Sequence, residues 1–303
     1  MVQRAIVLIV QPLLNPLFDV RTFGYRPKLG HLHALACAEW LTQSQKRSVW
    51  VIEDIKDAFL QVPISRLLQV VRKFLPADDL IDLLGCVLPG QTQPGLRQGG
   101  PLSPLMMNLY LHHFLDRPWR RDCPHLPLIR VADDLLVLCK TRQRAEDADA
   151  HLHHLLQSAG MQIKETEAGP IRTLNTGDAA DWMGFSIRKT DQKLAVEINE
   201  RAWRRLQQYL ALAHTKSDSP LRAIRTIEQW LNQRGPCFVW SDRDDVCEQI
   251  RHIARKQAFE EIPSSVDLQE HWLRANSRWG RVRKAVRAAQ QAPARPAQAD
   301  VEA

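Results

Sequence analysis

The sequence lacks paired metal-binding cysteines, long apolar runs and internal repeats, and each absence excludes a class of protein. Its six cysteines include no C-x-x-C pair, so we expect reduced thiols and no zinc site built from them. The apolar run at residues 5–10 is too short to cross a bilayer, and Gln11-Pro12 follows it at once. We therefore expect a cytoplasmic protein with neither a signal peptide nor a transmembrane helix, and no membrane partner.

Charge is abundant and unevenly placed along the chain. Lys and Arg number 41 against 34 Asp and Glu, which gives a formal net charge of +7 and a pI near 9.3. Acidic residues concentrate near the motifs described next, whereas basic residues crowd the C-terminal third. A basic balance is compatible with a polyanionic partner, although net charge alone is weak evidence for one.

Two adjacent aspartates interrupt an apolar stretch at residues 127–138. Strand-forming residues flank Asp133 and Asp134 on both sides, and no Gly, Pro or Asn lies between the two arms. A tight bend at Ala132-Asp133-Asp134 would make a β-hairpin with acids at its tip. Burying two like charges is costly unless a cation neutralises them, and a divalent metal is the simplest candidate. The alternative is an ordinary surface hairpin.

Two further motifs lie upstream of this hairpin. An apolar, strand-like run at residues 48–52 ends in Glu53-Asp54 and continues to the aromatic Phe59. Strand alternation should point Glu53 and Asp54 to opposite faces of a sheet. Between the two acidic sites lies Gln98-Gly99-Gly100-Pro101-Leu102-Ser103-Pro104, a run that rarely occurs by chance.

In this order the three motifs resemble those of reverse transcriptases, and their sequences are most similar to the bacterial group II intron type. Asp54 matches motif A, residues 98–104 match motif B, and Ala132-Asp133-Asp134 matches motif C, although Val131 stands where the family usually has Tyr. The resemblance covers about residues 1–235. It implies an α+β right-hand polymerase fold, with an antiparallel palm sheet and helices, a helical thumb and incomplete fingers, and RNA-directed DNA polymerase activity.

The resemblance also implies a catalytic metal site. Asp54, Asp133 and Asp134 are expected to be catalytic and to bind two Mg²⁺ ions, with the main-chain carbonyl of Ile55 as a further ligand and Mn²⁺ as an alternative metal. Magnesium is a hard cation that prefers oxygen ligands. The expected partners are an RNA template, a DNA or RNA primer, dNTPs, and an intron or other structured RNA.

By the same resemblance, five residues are expected to bind the incoming nucleotide. Asp57 and Ala58 correspond to the turn under the triphosphate, and Phe59 corresponds to the aromatic that closes the sugar pocket and selects deoxynucleotides. Without the motif around it, Phe59 would be interpreted as a plain core aromatic. Gln98 can hydrogen-bond the nucleotide or template. Lys164 matches a motif D lysine near the leaving pyrophosphate, in a segment shorter than the family's.

Three segments are expected to contact the template or primer. Residues 21–31 resemble the Gly-Phe-Arg-Pro-Gly segment of the group II fingers, and the alternative is a solvated basic loop. The glycines of motif B would offer a surface free of side chains, and its first proline suits the first turn of a helix. Residues 181–186 match the motif E hairpin called the primer grip. The residues expected to make these contacts are Arg26, Lys28, Gly99, Gly100, Pro101, Trp182, Met183 and Gly184.

The motifs divide the chain into predicted regions. The chain starts inside the family's fingers pattern, which puts polymerase activity in question more than the fold. Near the C-terminus, Trp272 and Trp279 are interleaved with basic residues, a pattern that suits binding to single strands or structured RNA. The regions are partial fingers at 1–50, a palm at 51–190 with a fingers insertion at about 64–92, a helical thumb at 191–262, a basic helical extension at 263–287 and a disordered tail at 288–303.

Helical periodicity predicts further elements. The helices are predicted at 2–14, 33–45, 65–74, 78–88, 102–115, 144–158, 199–213, 220–234 and 242–257, with a polar loop at 117–125. Three histidines, His151, His153 and His154, fall on the helix at 144–158. For them we favour a solvated face over a metal cluster, because the neighbouring sequence offers no acid at the right spacing.

Two other functions compete with the polymerase. The first is an RNA-binding, maturase-like or phage-defence protein of the same fold with weak or no polymerase activity. The missing finger residues favour it, and the complete set of acids disfavours it. The second is a metal-dependent phosphatase or nuclease, which would not explain residues 98–104.

Overall fold

The structure, a computed structural model, describes residues 1–88, 95–174, 177–191, 193–215 and 217–291. The chain divides into two compact units, residues 1–173 and residues 174–290. Within the described residues, every helix is too short or too polar to traverse a bilayer.

A four-stranded antiparallel sheet, ordered β2-β3-β1-β4, forms the centre of the first unit. Strands β2 and β3 form the predicted hairpin, and β1 pairs with β3 along its whole length. The antiparallel sheet and its helices confirm the predicted α+β class. The strands are β1 Val49–Asp54, β2 Leu128–Val131, β3 Asp134–Cys139 and β4 Ile171–Thr173.

The predicted helices of the first unit lie close to their predicted bounds, and the unpredicted helices α3 (Ala58–Gln61) and α7 (Arg117–Asp122) are added to them. The other described α-helices are α1 Val2–Leu14, α2 His31–Ser44, α4 Ile64–Phe74, α5 Asp78–Val87, α6 Ser103–Leu111 and α8 Arg142–Ser158. An apolar stripe at threes and fours faces the core in α1, α4 and α8, whereas α2 is buried around most of its circumference.

Alternation along β1 sends its side chains to two covering helices. Trp50 Nε1 donates a hydrogen bond to Thr42 Oγ1 of α2 at 3.1 Å. Val51 belongs instead to the core that includes Leu152 of α8. The same period of two places Glu53 on the α8 face and Asp54 on the opposite face, as the sequence predicts.

The polar loop predicted at residues 117–125 is wrong over most of its length. The chain passes from α6 through a π-helical turn, His112–Asp116, directly into α7. Trp119 is buried, and its Nε1 donates a hydrogen bond to the Leu126 carbonyl at 2.8 Å. The sequence of this helix shows no apolar periodicity, because most of its residues are charged and a single buried ring, that of Trp119, anchors it.

The second unit combines a three-stranded antiparallel sheet with four helices, three of them close to their predicted bounds. Asn199 Oδ1 caps α9 by accepting the Ala202 N–H at 2.9 Å. The elements are β5 Ala180–Trp182, β6 Phe185–Lys189, β7 Leu194–Ile198, α9 Glu200–Ala213, α10 Ser219–Leu231, α11 Arg243–Lys256 and α12 Ser265–Gln291.

Helix α12 changes the interpretation of the basic extension. Trp272 is fully buried and Trp279 is 7% exposed, so both rings pack inside the unit and are not placed to stack on bases. The helix continues to Gln291, so the first residues of the predicted tail are helical, and residues 292–303 lie outside the described residues. The exposed basic residues of α12 are Arg274, Arg278, Arg281, Arg283, Lys284 and Arg287.

Candidate functional site

The three aspartates of motifs A and C lie at one end of the first sheet. Asp54, the last residue of β1, pairs in register with Asp134, the first residue of β3. Asp133 lies in the two-residue turn between β2 and β3, and its carbonyl accepts a hydrogen bond from the Ile55 N–H at 3.1 Å. All three aspartates are half-buried. Backbone pairing therefore sets the spacing of acids that are far apart in the chain.

The turn that carries Asp133 has a strained backbone. Ala132 has φ 61°, in the left-handed region that costs an L-residue about 1 kcal/mol or more. Gly24 packs against this turn so closely that a Cβ at residue 24 would overlap the Ala132 nitrogen. Only glycine fits at residue 24 without a backbone shift, so the N-terminal segment closes the turn from one side.

A buried ionic network supports the same turn. Arg130 is 1% exposed, and its guanidinium donates to the two oxygens of Asp116 at 2.9 and 2.7 Å and to Asn108 Oδ1 at 2.9 Å. It also donates to the Ala132 carbonyl at 3.2 Å, while Asn108 Nδ2 donates to the Gly24 carbonyl at 2.7 Å. This network was not predicted from the sequence. Its one signal was a single cation, Arg130, inside an apolar strand.

Tyr25, which the sequence analysis left unassigned, lies beside the acids. Burial raises the pKa of the Tyr25 phenol, and the negative charges of Asp133 and Asp134 raise it further. Its ring meets the half-buried Phe59 ring edge-on, with centroids 6.1 Å apart. The Phe59 carbonyl accepts the Leu96 N–H at 2.6 Å, which ties this ring to the chain leading into motif B. The two rings form one apolar wall near the aspartates.

Motif D lies along the end of β1. Ile55 and Ile163 form an antiparallel bridge, and the Lys164 N–H donates to the Asp54 carbonyl at 2.8 Å. The Lys164 side chain is exposed. Although this segment is shorter than the family's, it brings the lysine backbone next to a predicted metal ligand.

The turn after β1 exposes Asp57 and buries Ala58. Asp57 has φ 43° and precedes α3, and its carbonyl accepts the Leu60 N–H at 2.8 Å. Ala58 is 2% exposed. Any nucleotide contact made by Ala58 would therefore come from its backbone.

Motif B forms a turn ahead of α6. Gln98, Gly99 and Pro101 are exposed, and Gly99 has φ 79°. Gly100 is buried, and a Cβ there would lie 2.8 Å from Ser103 Oγ. The turn therefore closes on itself and presents Gln98 to solvent.

Arg26 and Lys28 differ in what their charges do. The Arg26 guanidinium donates to Asn15 Oδ1 at 2.8 Å and to the carbonyls of Asp19 and Thr22 at 2.7 and 2.9 Å. Lys28 is exposed. Because Arg26 braces its own loop, Lys28 is the better placed of the two for a phosphate, and the template contact of Arg26 stays a prediction.

The motif E residues lie in the second unit. Met183 and Gly184, with φ 54° and 83°, form the turn of the β5–β6 hairpin, and Trp182 is buried before it. A Cβ at residue 184 would lie 3.1 Å from Arg234 Nη1. Their predicted contact with a primer stays a prediction.

The donor set at the aspartates suits hard divalent cations. The side chains offer carboxylate oxygens and the neighbouring backbone offers carbonyls, which are ligands that Mg²⁺ prefers. The carboxylates of Asp54, Asp133 and Asp134, all of them described residues, do not bring three oxygens within 4.8 Å of one another. The oxygen donors therefore suit a hard divalent cation, and the number of ions bound stays a prediction.

Comparison with known proteins identifies the family. The family model described as reverse transcriptase (RNA-dependent DNA polymerase) matches residues 1–167. Protein YkfC of Escherichia coli (strain K12) is 29% identical over 125 residues, which cover 37% of this chain and 33% of YkfC. The chain thus spans about a third of the length of this curated relative.

Solved telomerase structures show a weaker likeness. Telomerase from Candida albicans, in complex with a TWJ fragment of telomeric RNA, gives a TM-score of 0.49 at 9% identity, over 96% of this chain and 57% of that chain. Apo telomerase from Candida tropicalis gives 0.46 at 12% identity, over 95% and 59%. The family assignment therefore rests on the sequence match. Because that match covers more than half of the 303 residues, the chain belongs to the reverse transcriptase (RNA-dependent DNA polymerase) family.

Proposed function

We propose that this protein is a group II intron-like, RNA-directed DNA polymerase that extends a primer 3′-hydroxyl with dNTPs by a two-metal mechanism. The observation that carries the proposal is the register pairing of Asp54 with Asp134, with Asp133 in the adjoining turn. Membership of the reverse transcriptase family supports the same reaction class.

In this proposal Asp54, Asp133 and Asp134 hold two Mg²⁺ or Mn²⁺ ions, and the Ile55 carbonyl assists. Two such cations, when bound, favour loss of the primer 3′-hydroxyl proton and neutralise the charge that develops on the leaving pyrophosphate. The protein contributes a turn that needs no rearrangement during the reaction, because Arg130 holds its carbonyl in place.

Other residues near the aspartates in the first unit bind and orient the nucleotide. The Phe59 and Tyr25 rings face the sugar, where a bulky aromatic leaves no room for a 2′-hydroxyl. The backbone at Asp57 and Ala58 lies under the triphosphate. Lys164, as an ammonium group, donates a proton to the departing pyrophosphate.

Template and primer contact exposed stretches of backbone and an exposed basic side chain. Lys28 pairs with a template phosphate, and the motif B turn at Gln98, Gly99 and Pro101 supports the new base pair. Residues 182–184 of the second unit contact the primer strand.

The test is dNTP incorporation on a primed RNA template. Asp54→Ala and Asp133→Ala should each lower the rate by at least about a thousandfold, because groups that act as a unit lose nearly all catalysis when one is removed. Asp79→Ala is the matched control, an exposed aspartate of α5 that should leave the rate unchanged. Wild-type incorporation should require added Mg²⁺ or Mn²⁺. Synthesis that survives in Asp54→Ala would refute the assignment.

The exposed basic residues of α12 favour a second candidate function, an RNA-binding, maturase-like or phage-defence role. Arg278, Arg281 and Arg287 are exposed on this helix. Bases of this kind neutralise phosphates and make binding salt-dependent. The second function is supported if Asp54→Ala retains RNA binding and still supports splicing or phage resistance. The double variant Arg278→Ala/Arg281→Ala should then lose both RNA binding and that biological role.

A further inference from the structure

A second cluster of possible metal ligands joins strand β1 to helix α8. Glu53 comes from the strand, and Asp149 and His153 lie one turn apart on the helix. Among the described residues, this is the group of three whose ligand atoms all lie within 4.8 Å of one another. His153 Nε2 is 3.7 Å from Glu53 Oε1 and 3.8 Å from Asp149 Oδ1.

The cluster contains one buried and one half-buried carboxylate. The Glu53 side chain is 6% exposed, and the Asp149 side chain is 22% exposed with its Oδ1 atom buried. Two acids held together in this way need a proton or a cation between them.

The cluster is separate from the three aspartates. Successive residues of a strand point to opposite faces, so Glu53 faces α8 while Asp54 faces away from it. His153 is 53% exposed, which leaves the cluster open to solvent on one side. An ion could therefore reach Glu53 without passing the polymerase site.

The ligand types distinguish between metals. Magnesium takes oxygen ligands, whereas an imidazole nitrogen beside two carboxylates suits Zn²⁺ and related transition ions. Zn²⁺ with bonds of about 2.0–2.1 Å in a tetrahedron separates its ligand atoms by roughly 3.4 Å. The separations of 3.7 and 3.8 Å in the structure exceed that value by less than half an ångström.

We infer that Glu53, Asp149 and His153 bind one divalent transition-metal ion, for which Zn²⁺ is the best match, with water at the fourth position. The bound ion joins β1 to α8 on the face opposite the aspartates. The sequence-based reason for favouring a solvated histidine face was wrong at His153, because Asp149 lies one helical turn before it. Glu53, the third residue of the cluster, comes from a strand that is distant in the sequence.

The experiment is calorimetric titration of Zn²⁺ into the full chain in excess Mg²⁺, which occupies sites that prefer oxygen ligands. His153→Ala should weaken Zn²⁺ binding by at least about tenfold, since even outer partners of metal ligands have effects of that size. His154→Ala is the matched control, because it removes the exposed neighbouring imidazole from the same helix and leaves the three ligands intact. This control should bind Zn²⁺ as the wild type does.

Two further variants keep the inference separate from folding and from polymerisation. Glu53→Gln preserves side-chain size and should also lose the Zn²⁺ site, with circular dichroism showing an unchanged fold in metal-free buffer. Asp54→Ala should retain the site, because its carboxylate lies on the other face. The inference is overturned if the wild type binds no Zn²⁺ in excess Mg²⁺, or if His153→Ala binds it as tightly as His154→Ala does.

Discussion

Two hairpin turns, one in each unit, are backed by a buried arginine that donates to a turn carbonyl. In the first unit Arg130 donates to Ala132 beside Asp133, at 3.2 Å. In the second unit Arg234 donates to Gly184 of the motif E hairpin, at 3.4 Å. Both arginines are buried. A hydrogen bond from a buried arginine to a turn carbonyl therefore supports two segments with different predicted roles.

The two arginines have different partners, a carboxylate for Arg130 and aromatic rings for Arg234. Arg130 lies against the Asp116 carboxylate with two hydrogen bonds. Arg234 lies over the rings of Phe185 and Trp230, at 5.2 and 4.8 Å from their centroids, and burial lowers its pKa to about 10. A buried ion pair holds one geometry, whereas a cation over ring faces tolerates small shifts. The comparison indicates a rigid turn at the aspartates and a more adaptable one at motif E.

The largest expected effect comes from Arg130→Met. It leaves Asp116 buried without its cation, so we expect a loss of about 3–5 kcal/mol in the free energy of unfolding. Urea unfolding followed by circular dichroism measures it. Arg142→Met, which removes an exposed arginine paired with Glu146, should change stability by less than about 0.5 kcal/mol. Equal effects at the two positions would show that the buried ion pair stabilises the protein no more than an exposed pair does.

The next effect tests the packing on the first turn. In Gly24→Ala the new Cβ overlaps the Ala132 nitrogen, so the backbone must move and we expect a loss of about 1–3 kcal/mol together with a fall in dNTP incorporation. Gly169→Ala is the comparison, because a Cβ there meets no atom within 4 Å and only its φ of 65° is strained; it should leave incorporation unchanged. Incorporation by Gly24→Ala at the wild-type rate would show that the aspartates tolerate a displaced turn.

A smaller effect is expected at the second turn. Gly184→Ala places a Cβ 3.1 Å from the Arg234 guanidinium and at a φ of 83°, so we expect a loss of about 1–2 kcal/mol. Thermal and urea unfolding measure it. If this loss exceeded that of Gly24→Ala, the motif E turn would be the more rigid of the two.

The smallest effect is expected from Arg234→Met. The substitution removes a cation whose pKa burial already lowers and keeps an apolar chain against two rings, so stability should change by less than about 1 kcal/mol. Urea unfolding beside Arg130→Met makes the comparison direct. A loss as large as that of Arg130→Met would mean that the two arginines support their turns in the same way.

Much of the first unit was predictable because its signals are local. The apolar arms around Asp133-Asp134 predicted the hairpin, and periodicity predicted α2, α4, α5 and α8 to within a few residues. Helix α7 was missed because its sequence is charged and one buried tryptophan anchors it. Trp272 and Trp279 were expected near nucleic acid, yet both are buried, since spacing alone does not tell which side of a helix faces the core.

The sequence by itself determined the motifs, their order and the strand alternation that separates Glu53 from Asp54, because these depend on residues close together in the chain. Only the tertiary structure decided which distant residues meet. It placed Asp116 under Arg130, Tyr25 beside the acids and His153 opposite Glu53. The physical reason is that antiparallel pairing and helix packing bring together groups whose separation along the chain carries no periodic signal.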